Sequence, residues 1–167
     1  TEDPTPYAQA LADNPYAGAW SSGGATGTGR SSSAGAGTLT SAQVSAGRSS
    51  TTLRIDNVEN YNGTSWTEIA EVNEARRTHG SAGSANTATL VFGGETSPGN
   101  ITSTEEWDGT SWTEKNDLAT ARGNLAIGSN GPYTAAIAVG GYTGSAQSDA
   151  VETWNGTSWT EVNDINT

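Results

Sequence analysis

One six-residue stretch occurs three times: Tyr61-Asn62-Gly63-Thr64-Ser65-Trp66, Trp107-Asp108-Gly109-Thr110-Ser111-Trp112 and Trp154-Asn155-Gly156-Thr157-Ser158-Trp159. Its final Trp returns after 46 and then 47 residues. A period of this length belongs to a repeat array, in which each unit is one supersecondary piece that buries its apolar face against its neighbours. Asn-Gly or Asp-Gly between two aromatic residues is a hairpin signal, since Asn, Asp and Gly tolerate the positive φ that a type I′ turn needs at two positions.

The array extends beyond these three copies. From Gly18 to Ser50 there are eight Gly and nine Ser in 33 residues, which alone would suggest a flexible linker. Yet Trp20, Arg30 and Gly47 each stand 46 residues before Trp66, Arg76 and Gly93, so this stretch reads as a worn first repeat. The expected organisation is an arm over 1–16, a degenerate first repeat over 17–66, a second over 67–112, and a third with the C-terminal end over 113–167. Since the chain has no Met, Thr1 is expected to be a processed end or the chain a piece of something longer.

Strand signals divide each unit into four. The first strand is rich in small residues and is expected near 33–37, 79–83 and 124–128. The second is expected over 39–46, 87–92 and 133–139, ending in Gly93-Gly94 and Gly140-Gly141. The third covers 55–61, 103–107 and 150–154. The fourth starts at the second aromatic of the hairpin and covers 66–72, 112–115 and 159–162. The fold class is all-β, with about three four-stranded antiparallel blades. Only 32% of the residues are hydrophobic and six of the twelve Phe, Tyr and Trp are Trp, so the Trp residues must carry much of the burial.

The pattern of Gly93-Gly94, Trp107, Trp112 and Arg122, repeated as Gly140-Gly141, Trp154 and Trp159, resembles the kelch repeat. The first unit departs from it, with Gly47-Arg48 set against the glycine pair. The compact Gly-Thr-Ser-Trp variant is also similar to repeats in bacteriophage tail-fibre and other structural proteins and in marine bacterial proteins. The kelch resemblance implies that each unit is one blade of a β-propeller, with the glycine pair letting backbones crowd near the axis. Propellers typically use four to eight blades, so three imply completion by a second chain or by further sequence, or packing of the blades into some other assembly. An open array exposes sheet edges and apolar blade faces, and association is the expected outcome.

Candidate chemistry divides into what repeats and what does not. Glu59, Glu105 and Glu152 stand two residues before the third-strand aromatic, and Arg30, Arg76 and Arg122 recur with them. A packing group is needed once per repeat and a catalytic group only once, so these are read as structural ion pairs, along with Tyr61 and the Trp residues Trp20, Trp66, Trp107, Trp112, Trp154 and Trp159. Residues that occur once are Arg48, Arg54, Arg77, His79, Asn86, Lys115, Tyr133 and Tyr142. Of these, Tyr142, Tyr133, His79 and Arg77 are the candidate ligand-binding residues, Tyr142 following Gly140-Gly141 in a loop at one end of a blade.

No catalytic or metal-ligating set and no cofactor motif stands out, and the chain is expected not to be an enzyme. Asp108-Gly109 lacks the residue that separates Asp from Gly in a sialidase Asp-box, and a chain without Cys cannot form the Cys-Tyr crosslink of copper-dependent kelch oxidases. Asn62, Asn100 and Asn155 form Asn-x-Thr sequons, although the hairpin turns already account for Asn62 and Asn155. A net charge of −11 disfavours nucleic acid and anionic membranes as partners, and no apolar run is long enough to insert in a membrane. The expected function is a structural or adhesive module of a virion appendage or cell-surface assembly, extracellular or virion-borne, self-associating or bound to other assembly subunits. A lectin-like propeller binding glycan through Tyr133, Tyr142 and loop acids is the first alternative, and a sugar-acting enzyme the second.

Overall fold

The computed structural model describes residues 24–49, 53–127 and 131–165, which form twelve strands and no helix. Trp20 and the 1–16 arm lie outside the described residues. The first sheet holds β1 (Ala34–Thr38), β2 (Ser41–Arg48), β3 (Arg54–Tyr61) and β4 (Trp66–Ile69). The second holds β5 (Gly80–Ala85), β6 (Ala88–Phe92), β7 (Thr104–Trp107) and β8 (Trp112–Lys115). The third holds β9 (Ala126–Ile127), β10 (Ile137–Val139), β11 (Val151–Trp154) and β12 (Trp159–Val162). Each sheet is a four-stranded antiparallel meander in chain order, so each is one blade.

Blades are joined through their first strands, β1 packing on β5 and β5 on β9. Small residues make this approach possible. The hydroxyl of Ser81 donates to the Gly35 carbonyl at 2.8 Å across the junction, while Gly80 makes room for its own cross-strand partner Phe92, whose Cε2 would stand 2.2 Å from a Cβ there. The apolar cores lie between blades. Val91, Trp107 and Trp112 of the second blade pack on Ala46, Val58, Val72 and Ile69 of the first. Leu90, Phe92 and Leu118, from the opposite face of the second blade, pack on Ala138, Trp154 and Trp159 of the third. The indole of Trp112 donates to Ala70 O at 2.9 Å and that of Trp159 to Thr104 Oγ1 at 3.0 Å, so the second Trp of the second and third blades is tied to the preceding blade.

The hairpins form where the motif places them, with Tyr61↔Trp66, Trp107↔Trp112 and Trp154↔Trp159 as cross-strand pairs. Their ring centroids are 5.0, 5.5 and 5.4 Å apart. The turn itself differs from the type I′ expectation. Four residues, 62–65, separate the paired aromatics, and only Gly63, Gly109 and Gly156 have positive φ. Asn62, Asp108 and Asn155 instead fold their side-chain oxygens back to accept from the two N–H groups at Thr64 and Ser65 and their equivalents, at 2.8–3.0 Å. This is an Asx turn, which uses the side chain in place of a second positive φ.

The structure also corrects the alignment of the first repeat. Gly47 N–H donates to Arg76 O as Gly94 N–H donates to Arg122 O, so Gly47 matches Gly94 and not Gly93. The glycine pair is therefore represented by Ala46-Gly47, and Ala46 adopts φ +49° where Gly93 and Gly140 have +60° and +58°. The bulge between Ser45 and Gly47 absorbs the one-residue shift. Ala46 is completely buried in the first junction, and tertiary contact holds an Ala in a backbone region that normally selects Gly.

Candidate functional site

In a meander, turns of one parity share an end. The β1–β2 and β3–β4 turns, with their repeats, lie at one end of the blades, which we term the turn end. The second-to-third-strand loops and the links between blades lie at the other, the connection end. The side-chain chemistry of the two ends differs.

At the connection end each repeated Arg forms a clamp. Arg76 Nη1 donates to Gly93 O at 3.1 Å and Ser103 O at 2.9 Å, and its Nη2 donates to Glu105 Oε1 at 2.5 Å. Arg122 repeats this with Gly140 O, Ala150 O and Glu152 Oε1 at 3.0, 2.5 and 2.7 Å. Arg30 does so with Ala46 O, Asn57 O and Glu59 Oε1. The second carboxylate oxygen accepts a backbone N–H from the segment entering the blade, from Gly27, Asn73 or Ala119. Each clamp thus fastens the incoming segment, the end of the second strand and the third strand together. Burial penalises the Arg76 cation and lowers its pKa, with Glu105 opposing the shift. Burial alone would raise the Glu59 carboxyl, but hydrogen bonds from Gly27, Thr28 and Arg30 hold it below the ordinary range.

Residues that break the repeat meet at the same end. Three backbone-paired positions are equivalent: Ser31 with Arg48, Arg77 with Glu95, and Gly123 with Tyr142. They carry different side chains in every blade. Arg48 faces Arg54 across the end of the β2–β3 hairpin. Arg54 pairs with Glu95, and Arg77 grips the same carboxylate with Nε and Nη2 at 2.9 and 3.0 Å. Burial would raise the Glu95 carboxyl, but the hydrogen bonds and charges of Arg54 and Arg77 outweigh it and hold the group ionised below its usual range. Glu95 is bridged to Asn100, whose Nδ2 donates to Tyr142 O at 2.6 Å.

A continuous row therefore crosses three blades, from Arg48 and Arg54 through Arg77, Glu95 and Asn100 to Tyr142. Three of the seven basic residues of a chain with net charge −11 sit in it, against the single carboxylate of Glu95. Beside it is an open cavity of about 460 Å³ lined by Leu53, Arg54, Glu74, Ala75, Thr96 and Ser97. Tyr142 is 41% exposed, and its hydroxyl donates to Gly144 O at 3.0 Å.

Of the four residues singled out for ligand binding, Arg77 and Tyr142 fall in this row and the other two do not. Tyr133 precedes β10 while Tyr142 follows it, so the two tyrosines stand at opposite ends of the third blade, and Tyr133 packs against the core between the second and third blades. A single binding face built on both is corrected by this placement. His79 is buried between the first two blades with Nε2 3.0 Å from Ser45 Oγ. Burial, reinforced by the Arg76 charge, lowers its pKa to about 3, so its imidazole is neutral and out of reach of a ligand. Asn86 is occupied at the turn end, where Ser41 Oγ donates to its Oδ1 and its own Nδ2 donates to Tyr61 O. Lys115 pairs with Glu106 at 3.5 Å.

The sequence reading did not group Arg48, Arg54 and Glu95 into one site. The signal was present: once the glycine pair is aligned through Ala46-Gly47, Arg48, Glu95 and Tyr142 occupy the same position of three repeats. A second cavity, of about 340 Å³, holds Glu74, Glu105 and Glu114, but both oxygens of Glu105 are already engaged by Arg76 and Asn73 N–H. Among the described residues no three His, Cys, Asp or Glu side chains are grouped to hold a metal ion, and no helix is long and apolar enough to cross a membrane.

Taken together, the fold is all-β, compatible with part of a propeller, and its connection end is the candidate binding face. No family model matches the chain, and no curated protein does. Among solved structures it is similar to that of YjhT, with a TM-score of 0.66 at 18% identity. The match covers 85% of this chain and 48% of that one, so the chain spans about half the length of its structural neighbour. Identity this low speaks for the fold alone.

Proposed function

We propose that the chain is a non-enzymatic structural and adhesive module, built of kelch-like propeller blades, that recognises a glycan at its connection end. The observation that supports this most is the equivalence of Arg48, Glu95 and Tyr142, since a structural array has no reason to vary one position on one face in every blade. Tyr142 offers a ring on which a sugar can stack, and Arg48, Arg54 and Arg77 favour a glycan bearing carboxylate or sulfate groups. The likeness of its Gly-Thr-Ser-Trp repeats to those of bacteriophage tail-fibre proteins supports a setting on a virion appendage or cell surface.

A glycan array containing neutral, carboxylated and sulfated sugars tests this. The wild-type chain should retain acidic glycans, and Tyr142→Ala should weaken binding about tenfold or more, corresponding to roughly 1.4 kcal/mol. An inert array, or signals indifferent to Tyr142→Ala and to Arg54→Ala/Arg77→Ala, overturns the reading.

A further inference from the structure

The two terminal faces of the blade array fit one another. In both internal junctions the front face of one blade, with its two hairpin aromatics, packs on the back face of the blade before it. The first blade has such a front face with no described blade to meet it. Val44, Tyr61 and Trp66 stand where Val91, Trp107 and Trp112 stand in the second blade, and Ala42↔Tyr61↔Trp66 form a row across three strands. They are half-buried, whereas Trp107 and Trp112 are 3% and 8% exposed. A hollow of about 360 Å³ opens there, lined by Gly35, Gly37, Ala42, Val44 and Trp66.

The third blade presents the complementary back face. Val139↔Val151↔Val162 form one cross-strand row, with Ile137 two residues along β10 on the same face. Ile165 stands where Val72 and Leu118 stand, as its N–H donates to Asp149 O in the manner of Val72 to Asp56 O and Leu118 to Thr102 O. Of the six exposed large apolar side chains among the described residues, Ile137, Val162 and Ile165 lie on this face, at 38, 43 and 47% exposure. Val72 and Leu118, the counterparts of Ile165, are each 3% exposed, and Leu90, the counterpart of Ile137, is fully buried, because a following blade covers them.

Polar groups follow the same rule. Thr78 N–H donates to Ser32 O and Asn124 N–H to Thr78 O, forming a chain that passes from blade to blade, while Gly47 and Gly94 N–H donate to the carbonyls of the next blade's Arg. Among the described residues, Ser32 N–H and Gly141 N–H have no such backbone partner. Asn124 O and Arg30 O of a neighbouring array are the acceptors that the internal pattern would supply.

We infer that a second copy of this chain docks head to tail on both faces, so that two copies related by a two-fold axis close a six-bladed ring. The front face of each copy receives Val162 and Ile165 of the other. Two copies follow from the arithmetic, since six blades lie within the usual four to eight and nine do not. The fold comparison agrees with it: three blades fill somewhat under half of the chain they superpose on, which leaves room for about as many again. This inference rests on the assembly part of the proposed function and not on its glycan site, so an inert array leaves it standing and a monomer leaves the glycan site standing.

The test is light scattering and small-angle X-ray scattering of the full chain across about 5–100 µM, a range that brackets micromolar affinities. The expected mass is twice 17.0 kDa, with the profile of a closed disc. Val162→Asp/Ile165→Asp changes exposed side chains only, and should weaken the dimer about a hundredfold or more with the far-ultraviolet spectrum unchanged. Val44→Asp attacks the same junction from its other side and should do the same, while Leu39→Asp, at an exposed turn, should leave the dimer intact. A 17.0 kDa species throughout, a dimer that survives both face variants, or an open polymer in place of a disc each overturns the inference.

Discussion

Replacing Glu105 by Gln isolates the energetics of the clamp. Arg76 has no exposed surface, and the Glu105 side chain is 2% exposed. Gln in place of Glu removes the only buried counter-charge of the guanidinium. It also sets an NH₂ against the Asn73 N–H or against Arg76 itself, since Glu105 accepts from one with each oxygen. Losing one partner of a buried pair costs about 3–5 kcal/mol, because the remaining charge stays desolvated. Glu106→Gln makes the same chemical change in a partly exposed pair with Lys115, where the expected cost is about 0–1 kcal/mol. Urea unfolding monitored by Trp fluorescence provides the comparison. Against a total stability of about 5–15 kcal/mol, Glu105→Gln should shift the midpoint severely and Glu106→Gln barely. Equal, small shifts in the two variants would show that the repeated Arg-Glu pairs do not hold the blades together.

Three other outcomes follow from the same structure. Trp112→Ala should cost about 3–5 kcal/mol, since it empties the first junction and orphans Ala70 O, and an effect under about 1 kcal/mol in urea contradicts the packing described. His79 has its folded pKa lowered to about 3, so below the unfolded value near 6.5 the unfolded chain binds a proton that the folded chain refuses. Stability should therefore fall by up to about 1.4 kcal/mol per pH unit on acidification from about pH 6.5, and His79→Gln should flatten that slope between about pH 6.5 and 4.5. Asp108→Asn should leave the thermal midpoint at pH 7 unchanged, because Asn62 and Asn155 make the same turn, and a clear drop contradicts the Asx-turn assignment.

How much of this was legible in the sequence depended on whether neighbouring residues or distant ones decide the outcome. The hairpins follow from local chemistry, and their aromatic pairs fell where the motif set them. All twelve strands were readable from period and composition, including β1 and β2 in the stretch that composition alone had suggested as linker, although β10 covers only Ile137–Val139 of the expected 133–139. The type of turn was not readable, because an Asx turn and a type I′ turn draw on the same Asn-Gly and Asp-Gly pairs. Nor was the place of Ala46, where packing between blades overrides the backbone preference and shifts the alignment by one residue. The clamps were visible as repeated Arg and Glu, but not their carbonyl and N–H partners.

The candidate binding face was legible only in part. Arg77 and Tyr142 stood out as unique residues, and both fall in the row at the connection end. His79 and Tyr133 were equally unique, yet uniqueness does not distinguish a junction residue from a surface one. His79 fills the contact between two blades, where a single imidazole suffices. The repeated stretch that identifies the fold turned out to mark the opposite end of the molecule from the residues that vary. Its Asx turns lie beside Thr40, Thr87 and Thr134, away from Arg54 and Glu95.

The most direct test of the account is therefore an amide-exchange footprint of the chain with the strongest-binding glycan from the array. Binding through the varied row predicts slowed exchange in 48–49, 53–54, 94–101 and 141–148, with the hairpin turns at 62–65, 108–111 and 155–158 unchanged. Slowing confined to those turns would place recognition on the repeated motif and contradict the account.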